Sequence, residues 1–64
     1  MLEKVPIERD LWIDRNKVSV IEVHKSPYGG SFISIVVDAQ WIGFDKEDFD
    51  IVYSWIRKEA NENN

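Results

Sequence analysis

The sequence contains no cysteine, and this absence excludes the covalent and metal supports that many small domains use. Without thiols the chain forms no disulfide and offers no thiolate ligand to a structural zinc site. A chain of 64 residues buries only about 60% of its unfolded surface, which makes an isolated monomer marginal. Small domains without such supports often oligomerise. The composition therefore predicts one domain, residues 1–64, that gains stability from a second protein surface.

Positive charge and long apolar runs are also scarce. The chain has 8 Lys and Arg residues against 12 Asp and Glu, and its net charge is −4. This balance disfavours a general binder of nucleic acid or of anionic membranes, because both need concentrated basic residues. No apolar stretch is long enough to span a bilayer or to form the core of a signal peptide. We therefore expect a cytoplasmic protein that binds neither nucleic acid nor membrane.

Motifs for catalysis and metal binding are missing as well. His24 is the single histidine, and no serine lies in a nucleophile motif that could use it. Glu22 and His24 offer two ligands, whereas a structural zinc site takes four. The acidic residues within 45–50 lack the central glycine and terminal glutamate of an EF-hand loop. We therefore expect no enzyme activity, no cofactor and no bound metal.

Three segments have the composition of β-strands. Residues 17–25 and 31–37 are rich in β-branched side chains, and residues 26–30 between them contain a proline and two adjacent glycines. This loop favours a hairpin, because Pro presets a turn and Gly accepts a positive φ. Residues 40–44 return as a third strand after a tight turn at residues 38–39.

The segment after Asp45 predicts a helix over residues 46–60. Asp45 suits the N-cap position, because its carboxylate can accept a hydrogen bond from an unpaired backbone N–H. Phe44 and Phe49 hold the two positions of a hydrophobic staple. The tail, residues 61–64, is expected to fray. The positions with helical spacing form one buried stripe: Phe49, Val52, Tyr53, Ile56 and Ala60.

Together these elements predict an α+β domain, with a small antiparallel sheet of three or four strands and one C-terminal helix packed on one face. Residues 1–9 contain Pro6, which removes a donor from a strand, and are expected to form an extended arm or an edge strand. The strands carry apolar side chains on both faces. A sheet with one solvated face alternates more cleanly, so we expect the second face to be covered, in one interpretation by a second subunit.

Apolar residues recur through the order of strand, strand, return strand and helix: Ile13, Val18, Ile21, Ile35, Ile42 and Val52. This layout resembles that of small flagellar regulators. Asp38-Ala39 stands here where those proteins have Asn-Gly. The resemblance implies a shared layout of elements, and it implies neither a partner nor an activity.

Two helix residues are candidates for a contact surface. Ile51 and Trp55 fall off the buried stripe at about 100° of turn per residue, so a two-layer monomer leaves them exposed. An exposed apolar pair of this kind marks interaction sites. The alternative is that the N-terminal arm covers this pair within one molecule. Of the other two tryptophans, Trp12 and Trp41, we expect at least one in the core.

The loop between the two long strands is a candidate site for a small anion. Its backbone N–H groups and neighbouring side chains could meet a nucleotide-like ligand, with an aromatic ring stacked on a base. The alternative is a purely structural hairpin loop. The residues of this candidate site are His24, Lys25, Tyr28, Gly29 and Gly30.

Two interpretations of function follow from the sequence. The first is a non-catalytic protein-interaction module that binds another protein and itself, as a homodimer or higher oligomer. Such a module acts as an inhibitor, adaptor or regulator, a kind of protein found among the accessory proteins of phages and mobile elements. The alternative is a small-ligand-binding protein that sequesters a nucleotide-like anion between subunits.

Overall fold

The computed structural model describes the backbone of residues 1–62 and the side chains of residues 1–57, and it has the predicted α+β fold. Two short strands pair as an antiparallel hairpin, and three longer strands form a second antiparallel sheet in the order β3-β4-β5. The one α-helix, at the C-terminal end of the described residues, contacts the central strand β4. The elements are β1 (Glu3–Lys4), β2 (Trp12–Ile13), a 3-10 turn (Arg15–Lys17), β3 (Val18–Lys25), β4 (Ser31–Val37), β5 (Gln40–Gly43), a second 3-10 turn (Lys46–Asp48) and α1 (Phe49–Glu62).

The loop between β3 and β4 confirms the predicted hairpin. The Gly29 N–H donates to the Ser26 carbonyl at 3.1 Å, and the Ser26 N–H donates to the Gly30 carbonyl at 3.1 Å. Gly29 has φ 98° and Gly30 has φ 79°, a region in which a Cβ atom is strained. The two glycines therefore allow the short loop that brings β3 and β4 into register.

The turn between β4 and β5 is also where it was predicted. Asp38 has φ 50° and Ala39 has φ 64°, so both central residues are left-handed. Two consecutive left-handed residues match the twist of a two-residue hairpin. Ala39 occupies this conformation against the steric preference of its Cβ atom. The turn is thus formed by tertiary pairing of β4 with β5, and its own sequence opposes it at Ala39.

The core lies between α1, the inner face of the three-stranded sheet and the N-terminal segment. Alternate residues of β4 are buried on this inner face, as the alternation predicts. Val52 of α1 is fully buried against them. The buried residues in the described part of the chain are Val5, Ile13, Ile33, Ile35, Val37, Phe44 and Val52.

The start and end of α1 differ from the prediction. Asp45 is the N-cap of a 3-10 turn, but its side chain makes no capping hydrogen bond; its backbone carbonyl accepts from the Asp48 N–H at 3.0 Å. The α-helix begins only at Phe49 and continues to Glu62, beyond the predicted end at Ala60. Asn61 and Glu62 are therefore helical, while Asn63 and Asn64 of the predicted frayed tail lie outside the described residues.

An irregularity in β3 changes which way one of its side chains points. The register shifts between Val18 and Val20, whereas the pairing of β5 with β4 is regular through Gly43. Strict alternation puts Val18 and Val20 on one face. Because of the shift, Val18 instead pairs with buried Val37 on the inner face, while Val20 lies on the outer face.

The N-terminal segment folds back onto the domain. Val5 is fully buried, and its N–H donates to the Leu11 carbonyl at 2.9 Å. The terminal amine of Met1 lies 2.9 Å from Asp14 Oδ2, and Asp14 also accepts from the Asn16 N–H. These contacts hold the pKa of the Asp14 carboxyl below its ordinary value, the terminal amine having the larger effect. No helix within residues 1–62 is long and apolar enough to cross a membrane.

Candidate interaction surface

The outer face of the three-stranded sheet, which points away from α1, carries side chains in three cross-strand rows. Val20, Val36 and Trp41 oppose one another across β3, β4 and β5 and form an apolar row. Trp41 is 60% exposed, and Val20 is also exposed. We call the side chains of Val20, Glu22, His24, Phe32, Ser34, Val36 and Trp41 the outer face.

Polar and aromatic side chains complete the outer face. His24 Nε2 lies 3.1 Å from Ser34 Oγ and 3.3 Å from Glu22 Oε1. Its ring stacks on Phe32 with the centroids 4.9 Å apart and an interplanar angle of 16°. The sequence put His24 in a candidate anion site, but its imidazole contacts Ser34 of β4 and Glu22 of its own strand. These contacts orient the imidazole on the outer face of the sheet.

β3 is exposed on the inner side of the sheet as well. Ile21 is 40% exposed and Val23 is 47% exposed, although both lie on the face that β4 buries. The reason is the position of β3 in the sheet: α1 contacts the central strand β4, whereas β3 is an edge strand. The strand therefore presents apolar side chains to solvent on both of its faces, with Val20 on the other one.

Among the residues that the structure describes, the outer edge of β3 also has free backbone groups. Bonded and non-bonded residue pairs alternate along an antiparallel ladder. The hydrogen bond from Ser26 to Gly30 fixes this alternation. The β3 residues that bond to β4 are then Val20, Glu22 and His24. The residues whose N–H and C=O groups point away from β4 are Ile21, Val23 and Lys25. We call this side of residues 20–25 the open edge.

The opposite edge of the sheet is partly closed by the N-terminal segment. Arg9 Nη2 donates to the Gly43 carbonyl of β5 at 3.1 Å, and its guanidinium lies 5.1 Å from the centre of the Phe44 ring. Within residues 1–57, no side chain has a hydrogen bond to the backbone of Ile21 or Val23 on the open edge. The two edges of the sheet therefore differ in their protection.

The two helix residues of the predicted contact surface lie in different environments. Ile51 is 47% exposed and lines a groove with Pro6 and Ile7. Trp55 packs against the core, its carbonyl accepts from Arg15 Nη1 at 2.7 Å, and the Arg15 guanidinium lies 4.8 Å from its ring. The expectation that both are exposed is therefore wrong for Trp55, because residues before β3 cover it. The partner-binding role of the pair stays a prediction.

The other two tryptophans are both exposed, contrary to the expectation that at least one fills the core. Trp12 is 53% exposed and donates from Nε1 to Asp10 Oδ1 at 3.0 Å, while Trp41 stands on the outer face. Both strands bury the neighbouring side chain instead, Ile13 fully and Ile42 partly. Strand alternation alone signalled that one residue of each pair would be outside, but not which one.

The candidate anion loop uses part of its donor capacity internally. The Tyr28 N–H donates to Ser26 Oγ, and the Gly29 N–H donates within the turn. Lys46 Nζ lies 3.3 Å from the Gly29 carbonyl and bridges the loop to the start of α1. Tyr28 is exposed and stacks on no other ring among residues 1–57. The role of Lys25, Gly30 and their neighbours in ligand binding stays a prediction.

Comparison of this chain with protein-family models, with curated proteins and with solved structures finds no match. The part of the chain that the structure describes also holds no group of three His, Cys, Asp or Glu side chains arranged to bind a metal ion. The exposed surface of the three-stranded sheet remains as the candidate site.

Proposed function

We propose that this chain is a small non-catalytic protein-interaction module that associates with itself and binds another protein as an inhibitor, adaptor or regulator. The observation that supports this proposal is the exposure of the sheet. Its apolar side chains are open to solvent on the outer face and along β3. The exposed large apolar residues of the sheet are Val20, Ile21, Val23, Phe32 and Trp41.

The physical reason is the balance of surface in so small a domain. Each square ångström of apolar surface removed from water contributes roughly 25 cal/mol. The core of the described chain consists of seven buried side chains, whereas five large apolar side chains remain exposed on one sheet. These side chains are divided between the outer face and the inner side of β3, and exposed apolar patches mark interaction sites. Association through the sheet would bury this surface and add stability that a small monomer lacks.

Sedimentation velocity over a range of protein concentrations tests the proposal. We expect the wild-type sedimentation coefficient to rise with concentration. The double variant Ile21→Lys with Val23→Lys should stay monomeric, because lysine on an exposed strand opposes pairing. The matched control is Leu2→Lys with Trp12→Lys, which adds the same charge at exposed apolar residues outside the three-stranded sheet. This control should associate like the wild type.

Three outcomes are decisive. A wild-type chain that remains monomeric at every concentration contradicts self-association. Equal loss of association in both double variants indicates a charge effect and not a surface on the sheet. Association that survives only in the control supports the sheet as the contact surface. Circular dichroism of each variant shows whether the monomer is folded.

A further inference from the structure

We infer that the open edge of β3 pairs with β3 of a second copy of this chain, antiparallel and centred on Val23, so that two three-stranded sheets join into one of six strands. This inference rests on the proposal that the chain associates with itself, and it names the partner and the geometry. It follows from the free backbone groups of the edge, the position of the bulge and the charges along β3.

The backbone of the open edge is suited to accept another strand. The outward N–H and C=O groups belong to Ile21, Val23 and Lys25, and a second antiparallel strand would satisfy them. A two-fold axis perpendicular to the sheet makes the contact self-complementary, because the same strand serves on both sides. The same axis keeps the two inner faces on one side of the joined sheet. Residues of the same face therefore oppose one another across it.

A centre before Ile21 falls within the register shift, and a centre after Val23 opposes β3 to the loop that follows Lys25. The three central residues that remain to be compared are Ile21, Glu22 and Val23. A centre at Ile21 uses Ser19, which lies inside the register shift of β3. A bulge bends the strand and interrupts regular pairing. This centre therefore has an irregular backbone.

A centre at Glu22 places the two Glu22 carboxylates directly opposite each other, which is destabilising for like charges. A centre at Val23 instead places Glu22 opposite His24 of the second copy, twice across the axis. His24 already accommodates a carboxylate within one chain, since Glu22 Oε1 lies 3.3 Å from its Nε2. The centre at Val23 also uses only residues 21–25, beyond the register shift. Charge and backbone regularity therefore favour the same register.

Apolar contacts favour this register too. On the inner face, Val23 meets Val23 of the second copy, and Ile21 lies opposite the aliphatic stem of Lys25 of that copy. Both Ile21 and Val23 are about half exposed in one chain, because α1 lies over β4 and not over β3. Pairing covers both side chains and forms about six interchain backbone hydrogen bonds.

Disulfide formation by single cysteine variants tests this register directly, because the chain has no cysteine of its own. Under mild oxidation Val23→Cys should form a disulfide dimer, since directly opposed bonded residues have Cα atoms about 5.5 Å apart, within disulfide range. Ile21→Cys should remain unlinked, because the two sites are four residues apart along the strands, roughly 13 Å. Glu22→Cys, offset by two residues, should also link poorly.

The pattern of cross-linking separates the possible errors. Cross-linking of Ile21→Cys in preference to Val23→Cys, or of Glu22→Cys in preference to both, overturns the centre at Val23. A wild-type dimer in which none of the three variants cross-links overturns edge pairing and leaves the proposed self-association intact. A wild-type chain that never associates overturns both proposals.

A second pair of variants tests whether backbone hydrogen bonds carry the contact. Val23→Pro removes an N–H that points away from β4, so the hairpin within one chain loses no ladder bond. Dimerisation should weaken by roughly tenfold or more, because two interchain bonds to equivalent residues are lost. Val23→Thr keeps the N–H and the branched shape and should dimerise nearly like the wild type. Equal dimerisation of a folded Val23→Pro variant contradicts the pairing.

Discussion

The two edges of the three-stranded sheet are built differently. β5 is short, and the Arg9 side chain donates to the carbonyl of Gly43 at its end. β3 is twice as long, with Ile21 and Val23 exposed beside its outward backbone groups. One edge is thus partly closed by a side chain from the same molecule, while the other has a strand-length surface for pairing. A sheet edge with unpaired backbone groups attracts further strands unless something blocks it.

The burial of a side chain in this sheet also depends on which strand carries it. Ile21, Ile35 and Ile42 oppose one another in a single row on the inner face. Ile35 on the central strand is fully buried, while Ile21 at the open edge is 40% exposed. The same side chain therefore contributes differently to folding in each strand, since α1 lies over β4.

The largest expected effect distinguishes the central strand from the open edge. Ile35→Ala should lower the free energy of unfolding by about 2–5 kcal/mol, because it leaves a cavity in the core. Ile21→Ala should lower it by about 1 kcal/mol or less, since that side chain is already half in water. Urea denaturation at a protein concentration low enough to keep the chain monomeric measures both.

A variant that does not fold would hide this difference, so Ile35→Val and Ile21→Val provide a milder pair. The first should cost about 0.5–1.5 kcal/mol and the second less. Equal losses at the two positions would show that β3 is covered in the monomer and would contradict the difference between the strands.

The next effect concerns the closed edge. Arg9→Ala removes the hydrogen bond to Gly43 and the cation–π contact with Phe44. We expect a loss of about 1 kcal/mol in the free energy of unfolding and faster amide exchange near the β5 edge. Arg9→Lys keeps the charge and serves as the control. Unchanged stability and exchange in Arg9→Ala would mean that this edge is protected by something other than Arg9.

Changes in stability of similar size and opposite sign are expected in the two turns that connect β3 and β5 to β4. Ala39→Gly should raise stability by about 0.5–1 kcal/mol, because glycine accepts the left-handed φ of 64° that alanine resists. Gly29→Ala should lower stability by about 1–2 kcal/mol. Its cost is backbone strain alone, because a Cβ atom at Gly29 would meet no other atom within 4 Å. Thermal unfolding measures both. Destabilisation by Ala39→Gly would contradict the strain at that turn.

The smallest expected effect is a pH dependence of stability that arises at Asp14, close to the N-terminal segment that contains Arg9. The terminal amine and the Asn16 N–H lower the pKa of the Asp14 carboxyl in the folded state. A depressed folded pKa gives stability that is present above the ordinary pKa near 4, and this stability is lost as the pH falls through the lower folded value. The melting temperature of Asp14→Asn should therefore approach that of the wild type between about pH 5 and pH 2. A constant difference over this range would contradict the linkage.

The sequence predicted the fold where local signals and tertiary contacts agree. The β-branched runs, the paired glycines and the helical spacing each favour one type of local structure, and the structure contains the strands, the hairpin loop and the helix. Four residues of the stripe pack in or against the core, and the side chain of Ala60 lies outside the described residues. One prediction was wrong because of a neighbour distant in sequence: Trp55 is covered by Arg15, which is 40 positions away along the chain. Another was wrong locally: Asp45 makes no side-chain capping bond, and a 3-10 turn precedes the α-helix.

The sequence by itself determined the element types, because alternation, helical spacing and turn residues act over a few neighbouring positions. It also determined that some apolar side chains of the strands would face away from the core. Tertiary structure decided which ones remained exposed. The register shift in β3 put Val18 on the inner face, and the position of α1 over β4 left Ile21 and Val23 about half exposed. Burial depends on which surfaces meet in space, and that information is not local to any segment of the chain.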